Sequence, residues 1–352
     1  DDIKLGNASV KVGLRLDHYD GLTAATLVQP RVGASYAVPV SNTVLRASFG
    51  RTMETPYNEN LLLSSGVGAE VLTGTATPPQ PGRRNQGEIG VQQSIGRWIV
   101  ADFGYFNKHT DNAYDFNVLF STPIAFPVAW DHSRLNGFTG RVNLVEHSGF
   151  SAFVVMAHTN AIYFPPGVGG VLLTPPCDTP GCSFRIDHDQ KFNSTTNVQY
   201  TIDKKTGTWA ALSWRYDSGL VASAIGDVND LLMKLTPAQQ AAAGMSCNGV
   251  AATPSAGFTT CAPGSITSTR LVVPAAGTGD PLNNPSRIAP RNLVDLGLGA
   301  DNVLRSDKTK IRLHFSVINL TNREALYNFL SSFSGTHFVT PRAYQVQIGV
   351  AF

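Results

Sequence analysis

Charge is scarce in this chain: 27 basic and 25 acidic side chains make up 15% of its 352 residues, against roughly 25% in ordinary soluble domains. Long apolar runs are missing too. The longest, Ala152 to Ala157, has six residues, whereas a membrane-spanning helix needs about 20, so a helical membrane protein is excluded. The net charge is only +2 and aromatic residues supply 9%, which excludes the charge-rich, aromatic-poor composition of a disordered chain. No basic stripe is present, so nucleic acid has no electrostatic footprint to bind. Asp1-Asp2-Ile3-Lys4 has neither the charged start nor the apolar core of a signal peptide. The expectation is that a leader was removed or that the chain begins midway.

What the chain does contain is alternation. Low charge without long apolar runs results when one residue in two faces hydrocarbon and its neighbours face water. Val10, Val12, Leu14 and Leu16 share one face, opposite Lys11, Gly13, Arg15 and Asp17. The same period of two recurs in segments beginning near Val32, Leu45, Glu88, Ile99, Phe138, Phe150, Thr195, Ala210, Val294, Lys310 and Ala343, which gives twelve strands. The pattern is weak around Glu88 to Gln92, and the Phe150 segment is apolar on both faces, so its neighbours decide its assignment.

Connections between these strands alternate in length. Short ones cover 39–42, 96–97, 146–149, 203–207 and 302–308; long ones cover about 18–29, 52–85, 109–133, 164–185, 218–290 and 320–340. A soluble sandwich has no reason to sort its loops by parity, whereas outer-membrane barrels have short periplasmic turns and long extracellular loops. Hydrocarbon offers no partner for a bare N–H or C=O, so a sheet in lipid must close. The expected fold is an all-β, antiparallel transmembrane β-barrel in the bacterial outer membrane, with the last strand running inward.

Two stretches carry a family resemblance. Lys310-Ile311-Arg312-Leu313-His314-Phe315-Ser316-Val317-Ile318-Asn319-Leu320-Thr321-Asn322, followed by Pro341-Arg342 and the strand to Phe352, resembles the end of a TonB-dependent outer-membrane receptor. Upstream, Pro30-Arg31-Val32-Gly33-Ala34-Ser35-Tyr36 with Thr43 to Thr52, then Glu54-Thr55-Pro56-Tyr57-Asn58-Glu59-Asn60 and Asn85 to Val91, resembles the mid-barrel of the same family. The resemblance implies that residues 1–352 are the C-terminal portion of a barrel of about 22 strands, twelve of them here, with the plug and early strands absent. It implies TonB-energised uptake of a bulky, scarce nutrient: a ferric siderophore, cobalamin, an oligosaccharide or a peptide. The implied partners are the TonB complex, through the missing N-terminal part, the barrel-assembly machinery, outer-membrane lipid and an extracellular small-molecule or oligomeric ligand. Tyr344, Val346, Ile348, Val350 and terminal Phe352 would be the assembly signal. A complete twelve-stranded passive channel or surface hydrolase is the competing reading, and a soluble all-β adhesin is a third.

Arg46, Arg51, Glu54, Tyr57, Asn58 and Asn60 are the best binding candidates, expected at the top of a strand and in the next long loop, where an entering ligand meets aromatic and hydrogen-bonding groups. The plainer alternative is an aromatic rim with loop polars. Cys177 with Cys182, and Cys247 with Cys261, are expected to form local loop disulfides suited to an oxidising compartment. In loop 218–290, Lys234 to Arg270 encloses no charge, and Thr236-Pro237-Ala238-Gln239 reads as a capping box stopped at Gly244. That loop is either a lid or a packed surface decoration. His314 and Ser316 share a strand face, as in a barrel phospholipase, but they sit with Lys310 and Arg312 and so read as lumen lining. Asp187-His188-Asp189 offers too few convergent oxygens for a cation, because His188 alternates away on an extended chain. Gly167-Val168-Gly169-Gly170 is loop punctuation. No catalytic, metal or cofactor site is expected.

Overall fold

The computed structural model describes residues 1–57, 60–65, 77–119, 122, 124–170, 181–223, 225–262, 264–331 and 335–351. One antiparallel sheet of 14 strands dominates. Its continuous path runs, in chain order, through β1 (Asp2–Leu5), β2 (Ala8–Asp20), β3 (Ala24–Val38), β4 (Thr43–Glu54), β5 (Gly82–Ile95), β6 (Ile99–Val118) and β7 (Ala125–His147). It continues through β8 (Phe150–Gly169), β9 (Asn193–Asp203), β10 (Thr208–Asp217), β11 (Arg291–Ala300), β12 (Lys310–Ile318) and β13 (Ala343–Ala351). The fourteenth member is the two-residue strand Phe184–Arg185, paired to β8 above the point where β9 starts. Strands β2 to β13 are the twelve expected from alternation; β1 adds a short hairpin arm at the first edge. β1 and β13 form the two edges of the path.

Register explains how alternation becomes a surface. Ala47, Ile89, Tyr105 and Phe138 stand opposite one another across β4 to β7, and Leu212, Leu296, Val317 and Tyr344 do so across β10 to β13. Large apolar side chains in these rows stand bare, with Ile89 62%, Phe138 60% and Tyr344 66% exposed, although Val317 at 5% is covered. Burying such side chains from water is worth about 1.5–3 kcal/mol each, so this face demands lipid. The opposite face carries Lys11, Gly33, Ser48 and Glu88 in one row and lines the lumen. Near the short turns the apolar face ends in aromatic pairs: Trp98 on His147 (4.0 Å between centroids) and Phe150 on Tyr200 (4.4 Å), as at a membrane–water interface.

Two expected long loops are mostly strand. β2 and β3 are joined by residues 21–23 alone, and β6 and β7 by residues 119–124, rather than by 18–29 and 109–133. β8 likewise runs to Gly169, so less of 164–185 is loop. The strands keep pairing beyond the lipid, but there the outward positions need no longer be apolar, so the period-two signal stops before the hydrogen bonds do. The connections at 55–81, 170–192, 218–290 and 319–342 do stand at one end.

The last two fold together into a cap with its own core. Ala222, Ile225, Leu231, Leu235, Ala243, Met245, Leu271 and Ile288 from one loop pack with Leu326 and Phe329 from the other. The expected short helix is present: in α2 (Pro237–Ala242), which follows α1 (Val228–Met233), Thr236 and Gln239 cap one another and Pro237 opens the helix. Gly244 follows with φ 64°, a left-handed turn that glycine makes without strain. Buried Gln240 accepts from Phe258 N (2.8 Å) and donates to Phe258 O (2.9 Å), tying the helix to the segment behind it. Loop 218–290 is therefore packed decoration rather than a free flap. Cys247 and Cys261 are bonded as expected, with Cα atoms 5.9 Å apart. Cys182 is also disulfide-bonded, while Cys177 lies outside the described residues.

Candidate ligand-binding site

The six binding candidates do not form one site. Arg46 sits three residues past the start of β4, near the short turns rather than the strand top, and its guanidinium forks onto Asp102 across the lumen face. Glu54 lies eight residues further along, about 27 Å at strand rise. Arg51 has the parity of Phe49, so it points outward and donates to Asn85 (2.9 Å). Asn58 lies outside the described residues.

Glu54, Tyr57 and Asn60 do gather at the long-loop end. Glu54 pairs with Arg84, Tyr57 stacks on Phe116 with centroids 4.4 Å apart and planes at 17°, and Asn60 donates to Ala125 O (2.8 Å). Tyr114, 6.0 Å from Tyr57, donates its hydroxyl to Gln80 O (2.5 Å). The chain after β4 is thereby folded onto the β6–β7 extension, and Ser64, donating to Pro127 O (2.5 Å), pins it there. Burial against these rings raises the Tyr57 phenol above its ordinary value, with Glu54 and Asp115 adding to the effect, so Tyr57 is a neutral hydrogen-bonding group at any physiological pH.

Below this aromatic patch the lumen wall has two recesses. One, of about 250 Å³, is lined by Arg46, Ser48, Glu88, Gly104, Phe106 and Thr139. The other, of about 440 Å³, is lined on the lumen side by Lys11, Arg31, Ser48, Thr52 and Gln86, with Gly13, Gly33 and Gly50 leaving room. A Cβ at Gly13 or Gly33 would meet nothing within 4 Å. Sequence reasoning did not single out Lys11 or Arg31. Their signal was present as polar residues opposite an apolar row, but only strand register shows that both border one recess.

The other singled-out groups are spoken for by their neighbours. Asp187 and His188 lie in a turn rather than on extended chain, so the expected divergence fails: His188 Nδ1 is 2.6 Å from Asp187 Oδ1, and Ser331 donates to Asp187 Oδ2 (2.5 Å). Burial pushes the Asp187 carboxyl up, but the bonds from His188 and Ser331 outweigh it and leave the group below its ordinary range. His188 is raised by its bond to Asp187. Asp189 turns away, fully buried between Arg185 and Arg287. His314 Nε2 lies 2.9 Å from Asp301 Oδ1 with its ring edge-on to Trp209, while Ser316 stands opposite Gly297 and Gln345. Tyr344, Val346, Ile348 and Val350 form the exposed apolar stripe of β13; Phe352 lies outside the described residues.

A sheet with one bare apolar face, one polar face and its large connections at one end is the wall of an outer-membrane β-barrel. Comparison with known proteins sharpens that class. The pattern of the family described as TonB dependent receptor-like, beta-barrel matches residues 1–320, and the chain belongs to that family of bacterial outer-membrane receptors, which are not enzymes. No curated protein matches the chain by sequence. Among solved structures, the FrpB iron transporter from Neisseria meningitidis is similar over 99% of this chain and 43% of its own, with TM-score 0.61 and 14% identity. The copper transporter OprC (0.59, 13%) matches over 98% of this chain and 45% of its own, and the ferric citrate transporter FecA (0.57, 15%) over 99% and 43%. The chain thus spans less than half the length of these structures.

Proposed function

We propose that the chain is the C-terminal portion of a TonB-energised receptor importing a bulky, scarce nutrient, with an anionic chelate the cargo class its wall suits best. The observation that carries the cargo class is the charge of the lumen face. Across β2 to β7 its positions hold Lys11, Arg15, Arg31, Arg46, Arg84, Lys108 and Arg141 against the carboxylates Asp17, Glu54, Glu88, Asp102 and Asp131. Guanidinium groups bind carboxylate and catecholate-type oxygens through paired, charge-assisted hydrogen bonds. The ferric citrate and iron transporters among the structural neighbours are in keeping with this class.

In this reading Tyr57, Glu54 and Asn60 make first contact at the outer end, and the two recesses receive the cargo below. The two sheet edges would be paired by further strands, since lipid leaves no other partner for them. A plug and the TonB complex would act from the part of the receptor outside this chain, and the β13 stripe would present the assembly machinery with its recognition strand. Uptake of radiolabelled ferric chelates, cobalamin and oligosaccharides by cells expressing the full-length receptor tests the proposal. Accumulation of a ferric chelate that disappears when TonB is deleted supports it; accumulation indifferent to TonB would favour a passive channel.

A further inference from the structure

The wall divides along a seam between β3 and β4. β2 and β3 stay paired out to Asp20 and Ala24, and β4 and β5 out to Glu54 and Gly82, but the ladder between β3 and β4 stops at Arg31 and Gly50. Two bonds at the short-turn end show why. Ala37 N donates to Asn7 O (2.9 Å), so the odd residues of β3 bond to β2 and the even ones face β4. Ser94 N donates to Asn42 O (3.2 Å), so the odd residues of β4 face β3. Pro30 and Arg51 would form the next bonded pair, and proline has no N–H to give.

Beyond that point Gln29, buried on the lumen side, ties the two strands: its Oε1 accepts from Met53 N (3.3 Å) while its Nε2 donates to Asp17 (2.5 Å). β4 then ends at Glu54, and its continuation is fastened over β6 and β7 through Tyr57, Asn60 and Ser64. Ala24, Thr26 and Val28 are exposed, and their N–H and C=O groups face the seam with no partner among the described residues. An unpaired edge of this kind is a template for a further strand. The two faces beside it define what fits. Outward, Leu16 and Val28 stand opposite one another, 66% and 50% exposed. On the lumen side Arg31 lies at the foot of the seam and makes no ion pair among the described residues, whereas Asp17 is engaged by Arg15 (2.6 Å) and Glu54 by Arg84. Asp20, at the far tip, has the outward parity of Leu16, so negative charge on a partner belongs at the foot.

We propose that the β3 edge from Ala24 to Val28 is a docking site for an extended segment of an extracellular polypeptide, added as an antiparallel strand whose apolar side chains face outward beside Val28 and whose acidic ones face the lumen beside Arg31. The open backbone groups supply the bonds, and the alternation of the two faces supplies the selectivity. The partner is extracellular because the seam opens at the long-loop end. Its residues opposite Val28, Thr26 and Ala24 occupy bonded pairs, so the N–H groups of its outward, apolar residues are the ones that meet the edge. Docking here does not depend on which cargo the receptor carries, and it is read by binding to the purified receptor rather than by uptake.

Fluorescence anisotropy of the full-length receptor in mild detergent tests the proposal with three labelled peptides: alternating glutamate and valine, the same peptide N-methylated at its valines, and alternating lysine and valine. Wild-type receptor is expected to bind the unmodified glutamate–valine peptide at least tenfold more tightly than either other. Val28→Pro removes one edge N–H and leaves the bonds to β2 whole, so it should lose that margin, while Val28→Ile keeps it. Heat-modifiable gel mobility shows that each variant is folded. Equal binding of the methylated and unmodified peptides by the wild type, or no binding of the unmodified one, overturns the site without any variant. The lysine peptide binding as tightly, or unchanged binding by folded Val28→Pro, also overturns it.

Discussion

Asp189 and Arg287, 98 residues apart in the chain, meet as a buried ion pair that fastens the largest loop to the barrel. Asp189 is fully buried. Its other oxygen accepts from Arg185 Nη1 and from Ala161 N of β8, both at 2.9 Å, while Arg287 also donates to the Asp189 carbonyl (3.1 Å). One carboxylate therefore joins the wall, the segment after β8 and the base of the cap. Removing one partner of such a pair leaves a buried charge uncompensated, at about 3–5 kcal/mol.

Asp189→Asn should accordingly free the cap while leaving the wall paired. Hydrogen exchange in residues 218–290 is expected to quicken by at least tenfold, with exchange in β2 to β7 unchanged. Equal protection of the cap in the variant and the wild type would mean that the hydrophobic core of the cap suffices alone.

The Asp187–His188 contact ties the segment before β9 to Ser331 and responds to pH in a fixed sense. His188 is raised above its ordinary 6.5, so its contribution is complete below that value and is lost as pH rises through the raised one. Asp187 is lowered from 3.8, so its contribution is complete above that value and is lost as pH falls through the lowered one. Protection of the Ser331 region should therefore be greatest between about 4 and 6.5 and fall on either side. His188→Gln should abolish the alkaline limb only; a wild-type profile flat from pH 6 to 9 would contradict the assignment.

Arg31→Gln removes a cation from the larger lumen recess without touching the lipid face. A charge-assisted hydrogen bond is worth about 1.5–3 kcal/mol, so the affinity for an anionic cargo should drop roughly tenfold or more. Uptake at saturating cargo should recover. A neutral glycan or peptide cargo would show no such split, and that result would remove the anionic assignment.

Val346→Arg places a charge in the exposed stripe of β13, 63% exposed in wild type. Near the bilayer midplane this costs about 2–4 kcal/mol, and the yield of folded barrel in the outer membrane is expected to fall. Gln347→Arg, one residue on and facing the lumen opposite His314, should be tolerated. Equal yields would deny that the stripe meets lipid.

How much was visible beforehand differs between the wall and the site. Lys11, Val12, Gly13 and Leu14 announce their faces because lipid enforces a period of two, and the helix at Thr236 to Ala242 announces itself through a cap that needs only neighbours in sequence. Beyond the lipid that enforcement lapses. His109, Asp111 and His132 looked like loop, though all are strand. Arg46 and Tyr57 looked like neighbours because they are close in sequence, yet an extended chain carries them to opposite ends of the wall. Asp189 looked like one of two spare carboxylates because its partners come from 185 and 287.

The sequence by itself determined the strand alternation, the sheet's lipid-facing side and the sidedness of its connections, since each follows from the order of side chains and segments along the chain. Tertiary structure alone decided which cations share a recess, which loops share a core, and that Pro30 falls where β3 would next bond to β4. Those relationships depend on strand register and on contacts between segments tens of residues apart, and no local pattern of side chains encodes them.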